Sequence, residues 1–547
     1  VAQTPEAADA AILRSVDRAF MSFRGTDVPG CAVGVSRDGK VVLERAYGMA
    51  NLETGTPITP ASIFHVASIS KQFTAMAIVL LAGDGKLSLD DDVRQFIPEL
   101  PDYGTTITLR NLLTHTSGLR DQWDLLSMAR GRFEENRITT EDVMEIVPRQ
   151  KALNFAPGTE FLYSNTGFTL LAVVVQRVSG KSLREFAAER IFAPLGMTST
   201  HFHDDYTMLV PGRTSAYRSI PGGWRVSIPN FDTYGATSLF TTVGDLLRWE
   251  ANFDAPVVGT SAQFDEMQAF AQLTNGDTVT YGLGVFNARY RGAREIGHGG
   301  ADAGYRSYVS RFPDLGLAVA IACNASTAST TSYAHAIADA YLGAQLASSV
   351  NINPPAAAAP SAAELQSRVG IYVQPVSRQI TEVSLRNGRL ALGRTSGPLL
   401  IPVAENRFRV TGQSVEIAFV DGPTPRFERT IFGEARFGGG YAQVRREPEV
   451  FKLQSAPPAT TAQLGRYAGE YYSEELDARY RITAGDSTLM IKIGTESPTA
   501  ARPLFGDTFV RNGLVFDFVR SGARVTGFRL TNGRTRGVGF VRVDGGR

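Results

Sequence analysis

The 547-residue sequence predicts an α+β domain followed by two small antiparallel β-barrels, and three observations carry that prediction. Helical and strand patterns alternate through residues 1–347, with strands at both ends of an inner helical block, the order expected when helices pack against an antiparallel sheet. Composition then breaks at SSVNINPPAAAAPSAA, 348–363, where proline and small residues show no apolar period and mark a linker. Beyond it, segments 364–454 and 463–547 are dense in strand signals and are parted by a second linker, SAPPATTA, 455–462. The two segments also resemble each other: LQSRVGIYV at 365–373 aligns with LGRYAGEYY at 464–472, setting Gly370 on Gly469 and Tyr372 on Tyr471 at a spacing of 99. They read as two copies of one barrel module.

Taken in order, the chain opens with a helix expected over 6–23, then a hairpin turning at Asp38-Gly39 between CAVGVSR and KVVLERAYG. The run FHVASISKQFTAMAIVLL follows, in which Phe73, Met76, Ala77, Leu80 and Leu81 form an apolar stripe of period 3.6, predicting a helix with a buried face. Near the end of this region YVSRFP and LGLAVAIAC read as adjacent antiparallel strands, followed by a helix across SYAHAIADAYLGAQL. In the barrels, Asn387-Gly388 and Asn532-Gly533 predict hairpin turns.

Composition narrows the classes of function. A length of 547 residues with 43% hydrophobic content is too great for one ordinary domain. The net charge of +1 and the lack of a basic run exclude nucleic acid as the expected partner, because phosphate binding needs clustered Lys and Arg. No segment has the length of apolar sequence that spans a membrane. The first residues, VAQTPEAADA, are small and polar, as a mature end left by signal removal would be, so a periplasmic or secreted protein is expected. Cys31 and Cys323 sit in strand-like runs and read as buried free thiols.

Chemistry concentrates at Ser68 and Lys71. Residues three apart on a helix share a face, so the amine can lie beside the hydroxyl and take its proton. The chain holds 7 lysines against 48 arginines, and Lys71 alone among the lysines has a serine three residues before it. A polar first turn on a buried helix calls for a reason. The sequence also holds one Tyr-x-Asn, Tyr163-Ser164-Asn165, and one His-x-Gly, His298-Gly299-Gly300, in that order after the serine.

This ordered triple resembles the penicillin-recognising serine hydrolases: class C β-lactamases, D-Ala-D-Ala carboxypeptidases, D-aminopeptidases and related esterases. The segments LLTHTSGLRDQW (112–123), FAPGTEFLYSN (155–165), IFAPLGM (191–197) and GHGGADAGYRS (297–307) agree, so the resemblance covers most of residues 10–345. It implies a β-lactamase/DD-peptidase-like catalytic domain. The SxSKQFT, SGLRD and ELDA segments, and the two barrels after the catalytic domain, are most similar to three-domain D-aminopeptidases. In the resembled fold the first and last strands share a sheet, which leaves a Cys31–Cys323 bridge open as the alternative to free thiols.

A serine hydroxyl must lose its proton as it attacks a carbonyl, and the base is Lys71, if burial depresses its pKa, or Tyr163, if cations favour its phenolate. The resemblance implies that Asn165 holds Lys71 and the substrate amide. The oxyanion would meet the backbone N–H of Ser68 and that of Ala301, on an edge strand where Gly299 and Gly300 let substrate approach. His298 stands where β-lactamases carry lysine. Histidine is largely neutral above its reference pKa of about 6.5, which weakens carboxylate anchoring and favours amides, esters or peptides cut near the amino end. Arg120, Asp121 and Trp123 either line the pocket or belong to a surface loop. In the resembled D-aminopeptidases a loop of the last barrel enters the cleft; the matching stretch here is GTESPTA, 494–500, where Glu496 could meet a substrate ammonium.

His201-Phe202-His203-Asp204-Asp205 opens like a metallohydrolase pattern, but Tyr206 stands where a histidine should follow, so no metal and no cofactor are expected. The expected activity is a serine hydrolase cleaving small peptides or amides through an acyl-Ser68 intermediate, as a D-aminopeptidase-like or related exopeptidase, acting as a monomer or homodimer. The alternatives are a β-lactamase or carboxylesterase with the same site, a peptidase of linearised cyclic peptides, and a noncatalytic penicillin- or peptide-binding sensor.

Overall fold

A computed structural model describes residues 5–131, 136–347, 360–431 except 395, 412 and 414, then 443–444 and 447–543. Its first sheet has six antiparallel strands in the order Phe286–Tyr290, Ala293–Asp302, Tyr305–Phe312, Leu317–Cys323, Cys31–Arg37 and Lys40–Tyr47. The Asp38-Gly39 hairpin joins the last two, and strands from the two ends of the domain meet where Cys31–Arg37 pairs with Leu317–Cys323.

The central strands read Val/Ile on one face and Ala/Gly on the other, and the packing explains why. Val33, Val35, Val319 and Ile321 face a cluster with Val16 and Phe20 of helix Pro5–Ala19 and with Ile337 of helix Thr330–Leu342. Ala32, Ala318, Ala320 and Ala322 face helix Val243–Asp254 with its Leu246 and Leu247. Small residues are needed there: a Cβ at Gly34 would stand 2.9 Å from Leu247 Cδ1.

Cys31 and Cys323 are direct partners across the strand pair and form a disulfide, closing 292 residues of chain. The free-thiol expectation is therefore corrected. Period-2 alternation places both sulfurs on the same face of neighbouring strands, which local sequence does not reveal.

The inner helical block centres on helix Ser70–Gly83, in which every residue from Ser70 to Leu81 is buried. The expected one-sided stripe understates this: Phe73 packs on Phe192 and Trp249, and Gln72 Oε1 accepts a 2.7 Å hydrogen bond from the Trp249 indole. Helix Asn165–Ser179 lies beside it. No helix among the described residues is long and apolar enough to cross a membrane.

Of the 348–363 linker, 348–359 lie outside the described residues, and a helix capped by Ser361 begins at Ala362. Eight strands between Gly370 and Leu453 form a sheet whose ends are joined by a bridge, Ala391 to Leu399, so it is nearly closed. Eight more, Gly469–Ser473 to Thr535–Arg542, form a closed barrel. The aligned tyrosines occupy one structural position: Tyr372 Oη donates to Arg368 O at 3.0 Å and Tyr471 Oη to Tyr467 O at 2.7 Å, each reaching back four residues from the first strand. The Asn387-Gly388 turn has positive φ at both residues, as a tight hairpin requires. At the other predicted turn Asn532 still pairs with Thr535, so Gly533 and Arg534 make the loop.

Candidate active site

Ser68 sits in a single 3-10 turn, Ala67–Ile69, that runs directly into helix Ser70–Gly83. Ala67 before it has φ +49°, a left-handed conformation unusual for alanine. The turn is held by its neighbours: Ala67 N donates to His65 Nδ1 (3.2 Å), Ser70 Oγ donates to Ala67 O (2.5 Å), and Leu239 N donates to Ser70 Oγ (2.9 Å).

Lys71 is fully buried, and its amine has three oxygen neighbours: Ser68 Oγ at 3.0 Å, Asn165 Oδ1 at 2.9 Å and Ala236 O at 2.7 Å. Burial pushes its pKa down to about 7, an effect that Asp302 opposes and Arg534 reinforces. The neutral form fits this geometry. Asn165 Oδ1 and Ala236 O only accept, so they take the two hydrogens of an NH2 group and leave its lone pair for the Ser68 hydroxyl. The Asn165 amide orientation is set from behind, because Asp121 Oδ2 accepts from both its backbone N (2.7 Å) and its Nδ2 (2.9 Å), which turns Oδ1 toward Lys71.

Tyr163 stands over the same amine, with Lys71 Nζ 4.8 Å from the ring centroid. Its hydroxyl approaches Ser68 without an aligned hydrogen bond. Burial holds the phenol well above its ordinary pKa, and the Ser68 hydroxyl and the Arg534 charge offset this only in part. Of the two candidate bases, the electrostatics favour Lys71. His115 packs against Tyr163, ring centroids 4.1 Å apart, and accepts from Ser164 N through Nδ1 (3.1 Å), fixing the Tyr163-Ser164-Asn165 turn.

His298, Gly299, Gly300 and Ala301 lie on strand Ala293–Asp302 beside the serine. The outer strand Phe286–Tyr290 pairs only as far as Gly297, so the residues after it form an edge at the cleft. Gly300 is required by close approach: a Cβ there would stand 2.2 Å from Val66 O and 2.3 Å from Ser307 Oγ. His298 is 2% exposed, with Nε2 3.0 Å from Tyr281 Oη and Nδ1 2.6 Å from Gly299 O. Burial pushes it down to about 3, so it is a neutral hydrogen-bonding group.

These elements enclose a cavity of about 790 Å³ lined by Ser68, Trp123, Tyr163, Asn165, the 298–302 strand edge, and Gly533 and Arg534 of the last barrel. Three predicted wall residues lie elsewhere, Asp121 being the one that holds Asn165 from behind. Arg120 is buried and paired with Glu475 at 2.6 Å, tying the catalytic domain to the last barrel. Glu496 lies beside Gly131 and 3.7 Å from Arg511, outside the cavity lining. The last barrel reaches the cleft by a different hairpin. Asn532 Nδ2 and Arg534 N donate to the two Asp124 oxygens, each at 3.0 Å, while Arg534 O accepts from Asn154 Nδ2 (2.9 Å). Asp124 is pushed up to about 7, first by burial and then by the neighbouring Asp121 charge. At the former metal-like run, Asp204 is paired with Arg184 at 2.6 Å and His203 packs on Phe240.

Sequence reasoning missed Asp121's hold on Asn165, the Ala236 carbonyl, His115, Tyr281 and Arg534. His115 and Asp121 lie inside LLTHTSGLRDQW, a segment already marked by the resemblance. The Ala236 carbonyl and Arg534 carry no local signal, since one is backbone and the other arrives from another domain.

The Beta-lactamase family model matches residues 16–342. A D-aminopeptidase of Cereibacter sphaeroides is 27% identical over 548 residues, spanning 97% of this chain and 99% of its own length. A D-aminopeptidase of Brucella anthropi is 32% identical over 278 residues, 51% of this chain and 52% of its own. Among solved structures, the octameric penicillin-binding protein homologue from Pyrococcus abyssi has a TM-score of 0.55 at 22% identity, covering 82% of this chain and 100% of that one. D-amino acid amidase from Ochrobactrum anthropi SV3 has a TM-score of 0.51 at 23% identity, covering 61% and 98%. These structural likenesses show the fold. With the family model matched over most of the catalytic domain, and with the serine and tyrosine lining one cavity and the lysine buried behind the serine, the chain belongs to the β-lactamase family and is a serine hydrolase of the penicillin-recognising group.

Proposed function

We propose that this protein is an exopeptidase of the D-aminopeptidase type, cleaving short peptides or small amides through an acyl-Ser68 intermediate. The observation that carries the reading is the buried Lys71 amine 3.0 Å from Ser68 Oγ, with its other two contacts both obligate acceptors. Neutral Lys71 takes the Ser68 proton as Oγ bonds to the substrate carbonyl carbon. The oxyanion meets the backbone N–H groups of Ser68 and Ala301. Tyr163, protonated and adjacent, relays a proton to the departing amine as the C–N bond breaks, and water then attacks the ester and releases Ser68. Neutral His298 orients the edge strand through Tyr281 rather than supplying a cation.

The D-aminopeptidase assignment rests on the match over 97% of this chain to a relative of that name, barrels included. Export to an oxidising compartment is part of the proposal, and the Cys31–Cys323 disulfide supports it. The assembly is proposed as a monomer or homodimer, which sedimentation velocity reads directly.

The test incubates wild type and Ser68→Ala with D-Ala and L-Ala p-nitroanilides, a short peptide mixture and a chromogenic cephalosporin, following products by mass spectrometry. Ser68-dependent turnover of the D-anilide is the expected result. Turnover of the cephalosporin alone would reassign the protein to the β-lactamases. Activity surviving in Ser68→Ala would remove the mechanism.

A further inference from the structure

The cavity wall supplied by the last barrel is cationic. Arg534 occupies the loop of the hairpin between strands Arg524–Asn532 and Thr535–Arg542. Its backbone is fixed by Asp121 N, Asn154 Nδ2 and Asp124, so its position does not depend on its side chain. The guanidinium lies 4.9 Å from the Tyr163 ring centroid, the same ring over which Lys71 Nζ lies at 4.8 Å. It thus shares the cavity lining with Ser68. The contrast with its neighbour is informative: Arg536 is neutralised by Glu160 at 3.1 Å, whereas among the described residues no carboxylate lies within ion-pair distance of the Arg534 guanidinium.

Arg306, also on the lining, donates, among the described residues, to the carbonyls of Ala303 (2.9 Å) and Tyr305 (2.6 Å). The lining carboxylate, Asp302, is engaged by the Thr237 hydroxyl and faces His65 at 3.8 Å. The lining thus holds two arginines and one occupied carboxylate, with Asp124 engaged by the Arg534 backbone and Asp121 by Asn165, and an arginine fork is matched geometrically to a carboxylate. His298, where β-lactamases carry lysine, is neutral here, so the cation has moved from the strand edge to another domain.

We propose that Arg534 is a substrate-binding residue that selects substrates bearing a free carboxylate, which for a peptide of two or three residues is its own C-terminus. The inference rests on the exopeptidase reading and deepens it: the barrel supplies a length gauge, anchoring the far end of a short peptide while Ser68 attacks near its amino end. Neutral amides and long peptides lack the anchor.

The experiment compares matched alanyl dipeptides of both configurations with their C-terminal amides, reading the ratio of kcat/KM for acid over amide in wild type, Arg534→Ala, Arg534→Lys and Arg534→Glu. The expected wild-type ratio is tenfold or more, held mainly in KM; it falls to near one in Arg534→Ala, is partly kept in Arg534→Lys, and inverts in Arg534→Glu. A wild-type ratio near one, or a ratio that survives Arg534→Ala while overall rate falls, overturns the proposal. If wild type turns over no dipeptide, the exopeptidase reading fails on its own. Calorimetric titration with 3-carboxyphenylboronic acid and its 3-carboxamide then decides Arg534 separately. A tighter carboxylate probe whose advantage is lost in Arg534→Ala supports the residue's role, and equal binding of the two probes overturns it.

Discussion

Replacing Lys71 by methionine tests the central physical claim, because it removes the amine and keeps most of the stem. In the folded protein the Lys71 pKa is pushed from 10.5 down to about 7. Between these values the unfolded chain binds a proton that the native site does not, so raising the pH stabilises the native state; below pH 7 the penalty is full and constant. One pKa unit is worth about 1.4 kcal/mol, so this one group raises wild-type stability by about 2 kcal/mol between pH 7 and pH 9. Lys71→Met lacks that gain. It also leaves Asn165 Oδ1 and Ala236 O without their donor, at about 1–3 kcal/mol each, but this offset does not titrate.

The quantity to measure is therefore the pH dependence of the stability difference. Urea unfolding at pH 7, 8 and 9 is followed by tryptophan fluorescence. All three tryptophans, Trp123, Trp224 and Trp249, lie in the catalytic domain, so the signal reports that domain and not the barrels. Wild type should gain on the mutant steadily with pH. Parallel curves would mean that Lys71 stays charged in the folded protein, and the argument for it as the base would fall.

Three further outcomes follow from the same structure. Gly300→Ala forces a methyl against the Val66 carbonyl and should cost about 100-fold in kcat/KM with little change in the barrels, as misplacing the Ser68 turn by a fraction of an ångström would do; kinetics beside circular dichroism checks it, and near-normal activity would refute the required close approach. Replacing both Cys31 and Cys323 by serine should cost about 2–5 kcal/mol of catalytic-domain stability, and wild type should lose a similar amount in reductant; unchanged urea midpoints would count against the bridge. Glu475→Ala strands the buried Arg120 and removes the acceptor for Lys151 N and Gly539 N, for about 3–5 kcal/mol at the domain junction. Limited proteolysis should then release the last barrel, and wild-type resistance would argue that other contacts suffice.

The sequence alone determined what depends on local pattern. Ser68 and Lys71 share a face because helical spacing puts them there, the Asp38-Gly39 hairpin follows from turn chemistry, and the repeat of Tyr372 in Tyr471 marks one module used twice. Motif order carried the family, and with it the fold class. Tertiary structure decided whatever depends on distance in space between segments distant in sequence. Cys31 meets Cys323 because two strands 292 residues apart are neighbours. The Lys71 amine is pushed toward its neutral form by burial and held by the Ala236 carbonyl, neither of which a residue type encodes. The barrel loop expected in the cleft, at Glu496, gave way to the Arg534 hairpin, because barrel strands of similar pattern leave undetermined which hairpin faces the neighbouring domain until Asp121, Asp124 and Asn154 dock it. Periodicity is a property of a few consecutive residues, whereas electrostatics and docking depend on everything the fold brings within reach.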